Sequence, residues 1–215
     1  LIEASHHIFK DFPVSEADII STFSGLRPVI NTGAPTPSKE SRAHGFWEED
    51  GLVTISGGKL TIFRVMAADV LNFCRNRLPN QPKFNHRAPC FIHPKPRTRA
   101  DLSDPNWLLM AGRLGSDVNQ FFETANNDHL NPIDPIPQLW GELAWAAQNE
   151  AVLHLDDLLL RRVRLGLLLP NGGLDQIDKV KELVQSPLGW SDQTWKTELD
   201  RYHKIWKSNY YLPED

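Results

Sequence analysis

The chain has 215 residues and a formal net charge of −4, and hydrophobic and charged residues make up 40% and 23% of it. This composition excludes a wholly disordered chain, and the length favours one or two domains. No apolar run approaches the ~18 residues of a membrane-spanning helix, and the first residues lack the basic and apolar regions of a signal peptide. The two cysteines exclude a disulfide scaffold and suit a reducing cytoplasm. Because the sequence does not begin with Met, we expect it to be part of a longer protein.

The first 78 residues have the pattern of mixed α and β structure. The segment Leu1–Phe9 is predicted to be the end of a helix, and the β-branched and aromatic run Ile19–Ser24 is predicted to be a strand. Two further strands, Ser41–Trp47 and Leu52–Ser56, flank an Asp-Gly pair that is typical of a hairpin turn. Apolar residues at helical spacing then predict a helix over Leu60–Arg77.

Basic residues concentrate between Arg75 and Arg99, where seven Lys or Arg and five Pro occur without a single acid. The prolines exclude a continuous helix and favour extended backbone. We therefore predict a linker over residues 79–104. The competing interpretation is a polybasic patch for anionic lipid or nucleic acid. We retain peripheral membrane contact as the alternative to a solvated linker, and we expect no nucleic-acid partner.

The remainder of the chain, residues 105–215, has the pattern of an all-helical domain. Helix start signals and apolar stripes predict successive helices beginning at Pro105, Gly115, Pro137, Asp156, Ile177 and Thr194. Five of the seven tryptophans fall in these helices, and we expect them to pack in the core. The fold class predicted for the whole chain is therefore α+β, mainly α.

A strand, a Gly-Gly turn and a helix start follow one another at Ser56, Gly57, Gly58 and Lys59. Two glycines let the backbone approach a ligand closely, and a helix N-terminus offers free N–H groups and the positive end of a dipole. Lys59 adds a mobile cation, so the turn suits a phosphate or a developing anion. It is not a P-loop, because that motif is absent. A plain structural turn explains the same residues equally well.

Two further segments carry candidate binding residues. Arg27 follows the predicted strand and precedes a proline, so its guanidinium is a candidate for bidentate binding of phosphate or carboxylate, with a structural salt bridge as the alternative. Arg42 and His44 lie in the next predicted strand, where His44 is a candidate for proton chemistry and a structural histidine is the alternative. The eight histidines show no spacing of metal ligands, so we expect no metal site.

Taken in order, these motifs resemble the C-terminal half of the FAD-dependent glycerol-3-phosphate dehydrogenases. The resemblance is carried by Ser24–Pro28, Ser41–His44, Gly51–Thr61, Phe63–Ala67, Gly115–Ser116 and the arginine-rich run Asp156–Gly166. It implies a two-domain flavoprotein of the D-amino-acid-oxidase superfamily. Residues 1–78 would then end the flavin and substrate domain, and residues 105–215 would form the helical C-terminal domain. The G-x-G-x-x-G fingerprint that holds the ADP half of FAD does not occur in these 215 residues.

The resemblance also implies a reaction and residue roles. The protein would oxidise sn-glycerol 3-phosphate to dihydroxyacetone phosphate and pass electrons through FAD to quinone or oxygen. Arg27 would hold the substrate phosphate, with Arg42 and His44 lining the active site. Gly57, Gly58, Leu60 and Thr61 would place backbone N–H groups against the flavin, and Lys59 would add a catalytic positive charge.

Three expectations and one alternative complete the interpretation. The isolated chain is expected to bind no FAD and to be inactive. The expected location is the cytoplasm, with the inner face of the membrane as a peripheral site. The arginine-rich run, including Arg161, Arg162 and Arg164, is expected to be structural. The alternative function is a helical interaction module that keeps a remnant flavoprotein segment and catalyses nothing.

Overall fold

A computed structural model describes residues 2–26, 30–31, 33, 35–36, 43–78, 85, 88–91 and 93–212. The chain divides into two compact units, one of residues 1–24 with 93–215 and the other of residues 25–92. We call them the helical unit and the hairpin unit. We predicted that residues 1–78 belong to one domain. In the structure, residues 1–24 group with the helical unit, and the hairpin unit extends to residue 92. Ser21 Oγ and Thr22 N donate hydrogen bonds to the carbonyls of Leu167 and Tyr210, at 3.0 and 2.8 Å.

The hairpin unit is built on two antiparallel strands, β1 (His44–Glu49) and β2 (Leu52–Gly57). Asp50 and Gly51, the two turn residues, both have positive φ angles, of 51° and 84°. Positive φ at both positions matches the right-handed twist of the flanking strands, which is why Asp-Gly is favoured there. The predicted hairpin is confirmed, and its first strand begins at His44.

Helix α2 (Phe63–Phe73) packs beside the hairpin, between short 3-10 turns at Leu60–Ile62 and Arg75–Arg77. Phe73 meets the Phe46 ring edge-on, with the ring centroids 5.0 Å apart. Arg77 Nη1 lies 2.7 Å from Glu48 Oε1, and this hydrogen bond lowers the pKa of the Glu48 carboxyl. The predicted helix over residues 60–77 is thus confirmed in position, with its two ends wound more tightly.

The predicted strand over Ile19–Ser24 is wrong. Its residues are extended, but among the described residues they join no sheet. They form hydrogen bonds instead with the C-terminal part of the helical unit, where Thr22 Oγ1 donates to the Tyr211 carbonyl at 3.0 Å. The local β propensity of these residues correctly predicted extended backbone. A strand also needs a second strand to pair with, which the propensity of one segment does not predict. The predicted N-terminal helix is confirmed as α1 (Ile2–Ile8).

Within the predicted linker, residues 79–84, 86–87 and 92 lie outside the described residues, and residues 85, 88–91 and 93–98 form neither helix nor strand, as predicted. A short 3-10 turn, Arg99–Ser103, follows them. It is fixed by a capping box in which the backbone N–H of Thr98 donates to Asp101 Oδ2 at 2.8 Å. Within the described ranges, no helix combines the length and hydropathy needed to cross a bilayer.

The helical unit continues with six helices, and the described residues 137–208 contain no strand, as predicted. Asp104 caps the first of them, accepting a hydrogen bond from the backbone N–H of Asn106 at 2.9 Å, and Ser191 caps the last by accepting from Thr194 at 3.1 Å. Such caps each stabilise a helix by about 1 kcal/mol. The six are α3 (Pro105–Leu114), α4 (Val118–Thr124), α5 (Trp140–Asn149), α6 (Leu165–Leu168), α7 (Ile177–Val184) and α8 (Asp192–Asn209).

Two of the predicted helices differ in detail. The one expected from Pro137 to His154 is shorter, because α5 ends before Ala151, whose φ of 50° cannot continue a helix. The one expected after Asp156 is a π-helix over Asp157–Arg162, ended by the left-handed residue Arg164. π-helical turns are rare and occur frequently at functional sites.

The core of the helical unit holds the predicted tryptophans. Trp107, Trp145, Trp195 and Trp206 are buried, which confirms the packing prediction for four of the five. Trp206 Nε1 donates to the Gly166 carbonyl at 2.7 Å, and the buried Tyr202 hydroxyl donates to the Gly172 carbonyl at 2.5 Å. These two bonds join α8 to α6 and to the turn that follows it. Burial raises the pKa of Tyr202, so its hydroxyl stays protonated and keeps donating.

Candidate functional site

The glycine turn lies where β2 ends and α2 is about to begin. The strand register pairs His44 with Gly57, so the hairpin brings the imidazole to the turn from the opposite strand. Gly57 and Gly58 have φ angles of 79° and 76°, and Lys59 returns to extended backbone. The turn therefore assembles His44, Gly57, Gly58 and Lys59 in one place from sequence positions up to 15 residues apart.

The two glycines are required by local packing as well as by backbone conformation. A Cβ atom on Gly58 would lie 2.6 Å from Met66 Sδ and 3.3 Å from His44 Cβ, and one on Gly57 would lie 2.9 Å from the Ala43 carbonyl oxygen. Protein atoms thus occupy the space that a side chain on either glycine would need. The glycines allow β1, the turn and α2 to lie close together, and the role of Gly57 and Gly58 in binding a flavin stays a prediction.

The helix start is open. Lys59 precedes a 3-10 turn in which the backbone N–H of Ile62 donates to the Lys59 carbonyl at 3.0 Å, and no hydrogen bond from the N-cap side chain closes it. Leu60 is 90% exposed, and Lys59 and Thr61 are exposed as well. No ion pair joins the Lys59 ammonium to an acid in the part of the chain that the structure describes. This surface offers N–H donors, a helix dipole and one cation to an anionic group.

His44 is held by an acid that the sequence motifs did not indicate. Its Nε2 atom lies 2.9 Å from Oδ2 of Asp69 on α2, and the imidazole is 15% exposed while the carboxylate is 44% exposed. The pair fixes the ring orientation and leaves Nδ1 as the other polar atom of the ring. One signal was available in the sequence. Asp69 falls on the stripe of α2 that also carries Met66, so it is an acid on an otherwise apolar helix face.

The two candidate binding arginines, Arg27 and Arg42, lie outside the described residues. Arg42 precedes β1 by two positions in the chain. In the parts of the chain with described positions, no group of three or more His, Cys, Asp or Glu side chains is placed to hold a metal ion.

The packing at Gly58 yields a direct test. We expect Gly58→Ala to destabilise the hairpin unit, because alanine at positive φ costs about 1–2 kcal/mol and the new Cβ also overlaps Met66. Gly51→Ala is the matched control, since Gly51 has a φ of 84° but no atom within 4 Å of its added Cβ. The readout is hydrogen exchange of the α2 amides. Gly58→Ala should exchange about ten times faster than Gly51→Ala; equal rates would show that Met66 moves aside without cost.

Comparison with known proteins agrees with the order of these features along the chain. Residues 91–195 match the family model described as the C-terminal domain of alpha-glycerophosphate oxidase. These residues span α3 to α7, the π-helix and the first residues of α8.

Curated relatives match most of the chain. It is 32% identical over 206 residues to glycerol-3-phosphate dehydrogenase 2 of Mycobacterium bovis, covering 88% of this chain and 35% of the relative. It is 28% identical over 214 residues to the aerobic glycerol-3-phosphate dehydrogenase of Staphylococcus aureus strain USA300, covering 89% and 38%. The chain thus spans about a third of the length of the curated relatives that it matches. These matches confirm the resemblance drawn from the motifs, and the chain belongs to the glycerol-3-phosphate dehydrogenase and oxidase family, with the C-terminal domain of that family over residues 91–195.

Proposed function

We propose that this chain is the C-terminal part of a flavoprotein that oxidises sn-glycerol 3-phosphate to dihydroxyacetone phosphate. The observation that supports this most is the open helix start after Gly58, with Lys59 beside it, in a chain aligned over 88% of its length with a protein named glycerol-3-phosphate dehydrogenase. A surface that presents N–H donors, a dipole and a cation stabilises negative charge. Both the substrate and the two-electron-reduced cofactor of this reaction are anionic.

The residues present fit one edge of a flavin. Leu60 and Thr61 offer backbone N–H groups at the positive end of a helix, and their exposure leaves room for a flat ring against them. When bound, FAD supplies the hydride acceptor of the reaction. In the proposal, the Leu60 and Thr61 N–H groups donate hydrogen bonds to the pyrimidine edge of the ring, and the helix dipole favours negative charge there.

The basic side chains have separate proposed roles. Arg27 makes charge-assisted bonds to the substrate phosphate, which a dianion and a forked guanidinium form especially well. Lys59 places a positive charge between cofactor and substrate. Arg42 and His44 line the substrate side, where Asp69 fixes the imidazole through its Nε2 atom. Substrate binding and charge stabilisation thus come from residues within 35 positions of one another along the chain.

We test this with a chimera, in which this chain replaces the matching segment of the Mycobacterium bovis relative. We expect the chimera to retain FAD and to reduce a dye in the presence of glycerol 3-phosphate. Arg27→Ala should raise KM for glycerol 3-phosphate at least about tenfold with flavin still bound, because a charge-assisted bond contributes about 1.5–3 kcal/mol. Arg27→Lys should recover only part of the loss, since lysine cannot bind in a bidentate manner.

Two controls accompany the chimera. Arg75→Gln removes the same charge from an exposed arginine of the 3-10 turn after α2 and should leave KM unchanged. The 215-residue chain alone, mixed with FAD, should show no flavin quenching, because contacts to one ring edge do not offset the cost of immobilising a ligand. A chimera that holds FAD but does not oxidise glycerol 3-phosphate would contradict the proposal and favour the interaction-module alternative.

The setting of the reaction is part of the same proposal. Quinone or oxygen receives the electrons, on the cytoplasmic side of the membrane. The acid-free segment Arg75–Arg99 supports peripheral contact there, since clustered Lys and Arg attract anionic lipid over about one Debye length.

A further inference from the structure

One recess of the helical unit has no place in the proposed reaction. It is a cavity of about 830 Å³ whose walls come from the end of α3, the middle of α5 and the residues after the π-helix. Ser21 and Phe23 of the N-terminal extended segment also line it. Cavities of roughly 300–1,000 Å³ are the size in which proteins hold small organic ligands.

The charge on the cavity wall is predominantly positive. Four arginines line it against two glutamates, Glu142 and Glu150. Two of the arginines are already paired: Arg113 Nη1 lies 2.5 Å from Glu142 Oε1, and Arg161 Nη1 lies 2.5 Å from Asp156 Oδ2. The other two, Arg162 and Arg164, have no ion pair with any acid among the described residues. The two guanidiniums at the cavity therefore have donors that no other described residue uses.

A buried carboxamide in the same wall also lacks a partner. Gln138 is 6% exposed, and its Oε1 atom is buried without a hydrogen bond to any residue that the structure describes. An unpaired buried polar atom costs about 1–3 kcal/mol. The backbone of the same residue is satisfied, since its carbonyl accepts a hydrogen bond from Ile133 at 2.7 Å. The side chain is therefore held in the cavity wall by its backbone, with a buried oxygen that has no partner among the described residues.

The backbone at Arg164 points to the same place. Its φ of 65° is a left-handed conformation that costs a non-glycine residue about 1–2 kcal/mol. Val163, between the two free arginines, is 4% exposed and belongs to the core. Because the Val163 side chain is anchored in the core, Arg162 and Arg164 lie on either side of it, and both line the cavity. Strain kept at a residue whose side chain has no partner among the described residues is typical of binding sites.

We propose that this cavity binds a small organic phosphate monoester. Arg162 and Arg164 carry two positive charges that match a dianion, and both donate to its oxygens. An apolar part of the ligand packs against Trp145 and Leu167, which also line the cavity, and a donor group on the ligand satisfies Gln138 Oε1. Glu150 faces the same space and disfavours ligands with further negative charge. The phosphate belongs either to a free metabolite or to the headgroup of a phosphatidic acid.

The probe for the first source is phenyl phosphate, which combines a dianion with an aromatic body. Titration of the 215-residue chain, followed by calorimetry and by Trp fluorescence, should show one saturable site. Arg162→Gln and Arg164→Asn should each weaken binding at least about tenfold, since a charged hydrogen bond is lost. Asn tolerates positive φ, so Arg164→Asn removes the charge without new backbone strain. Arg75→Gln, an exposed arginine of the hairpin unit, should bind phenyl phosphate unchanged.

Gln138→Met separates binding from folding. Methionine keeps the length of the side chain but removes the unpaired oxygen, so the midpoint of urea unfolding should rise while the affinity for phenyl phosphate falls several-fold. A merely structural carboxamide would give the opposite change in stability and no change in affinity. Inorganic phosphate should compete weakly and benzyl alcohol not at all, because each lacks one part of the proposed ligand.

Vesicles distinguish the two sources. If the natural phosphate is a lipid headgroup, the chain should sediment with vesicles containing phosphatidic acid but not with pure phosphatidylcholine, and phenyl phosphate should release it. Arg162→Gln should weaken that sedimentation strongly, whereas Lys196→Gln, at an exposed lysine of α8, should not. Absence of saturable binding to both phenyl phosphate and phosphatidic acid would overturn the proposal. Equal binding by the unchanged chain and by the Arg162→Gln and Arg164→Asn variants would overturn it as well.

Discussion

Trp206→Ala should lower the free energy of unfolding of the helical unit by about 3–5 kcal/mol. Trp206 is 4% exposed and belongs to the main core cluster, so its removal leaves a cavity that the surrounding helices cannot fill. The substitution also removes the indole N–H that donates to the Gly166 carbonyl at 2.7 Å. Urea unfolding followed by far-UV circular dichroism is the measurement, because it does not depend on tryptophan emission.

Trp206→Phe divides this loss into its two parts. Phenylalanine keeps much of the buried area but leaves the Gly166 carbonyl without its donor, so we expect a loss of about 1–3 kcal/mol. A Cβ on Gly172 would lie 2.9 Å from the Trp206 ring, which shows how closely the turn after α6 packs on it. A loss in Trp206→Phe as large as in Trp206→Ala would mean that the hydrogen bond outweighs the packing.

The matched control for these variants is Leu153→Ala. Leu153 is a large apolar residue of the same unit but is 75% exposed, so its truncation should change stability by no more than about 0.5 kcal/mol. If Leu153→Ala and Trp206→Ala lowered stability equally, then α8 would not be anchored through Trp206.

Short sequence motifs correctly predicted those parts of the fold that depend only on residues adjacent in the chain. The Asp-Gly pair at residues 50–51 determined a hairpin because both positions need positive φ. Asp104 followed by Pro105 marked the start of α3, since one residue caps the first turn and the other lacks the N–H that would be unsatisfied there. The expected strand Ile19–Ser24 failed for the complementary reason. Extended backbone is a local property, but membership of a sheet depends on a neighbouring strand.

The candidate sites follow the same division. Gly57, Gly58 and Lys59 are consecutive, so the turn was visible in the sequence. The partner of His44 lies 25 residues away, and only the packing of α2 against the hairpin identified it as Asp69. The cavity in the helical unit was harder still to foresee. Gln138 and Arg162 come from separate elements, and nothing in the sequence distinguished the paired Arg161 from its unpaired neighbours.

Asp156→Asn should lower the free energy of unfolding at pH 7 by about 2–3 kcal/mol. Asp156 is 2% exposed, and its two carboxylate oxygens accept hydrogen bonds from Arg161 and Arg201, which join the π-helix to α8. Asparagine has nearly the same shape but offers only one acceptor oxygen and no charge. Hydrogen bonds to charged groups contribute about 1.5–3 kcal/mol each, and the half-exposed arginines recover part of that loss by contacting water.

The pKa of Asp156 determines how the stability lost in Asp156→Asn depends on pH. Burial acts to raise the pKa of Asp156, but the hydrogen bonds from Arg161 and Arg201 outweigh it, so the pKa lies below the ordinary value of 3.8. A lowered pKa means that the carboxylate stabilises the fold above the unfolded-state pKa and that this stabilisation disappears as the pH falls through the folded-state pKa. The chain and its Asp156→Asn variant should therefore differ most in urea midpoint near pH 7 and converge as the pH falls below the ordinary value of 3.8. Asp200→Asn, at an exposed acid of α8, should show no such convergence, and a constant difference for Asp156→Asn from pH 7 to pH 2 would assign its effect to shape rather than charge.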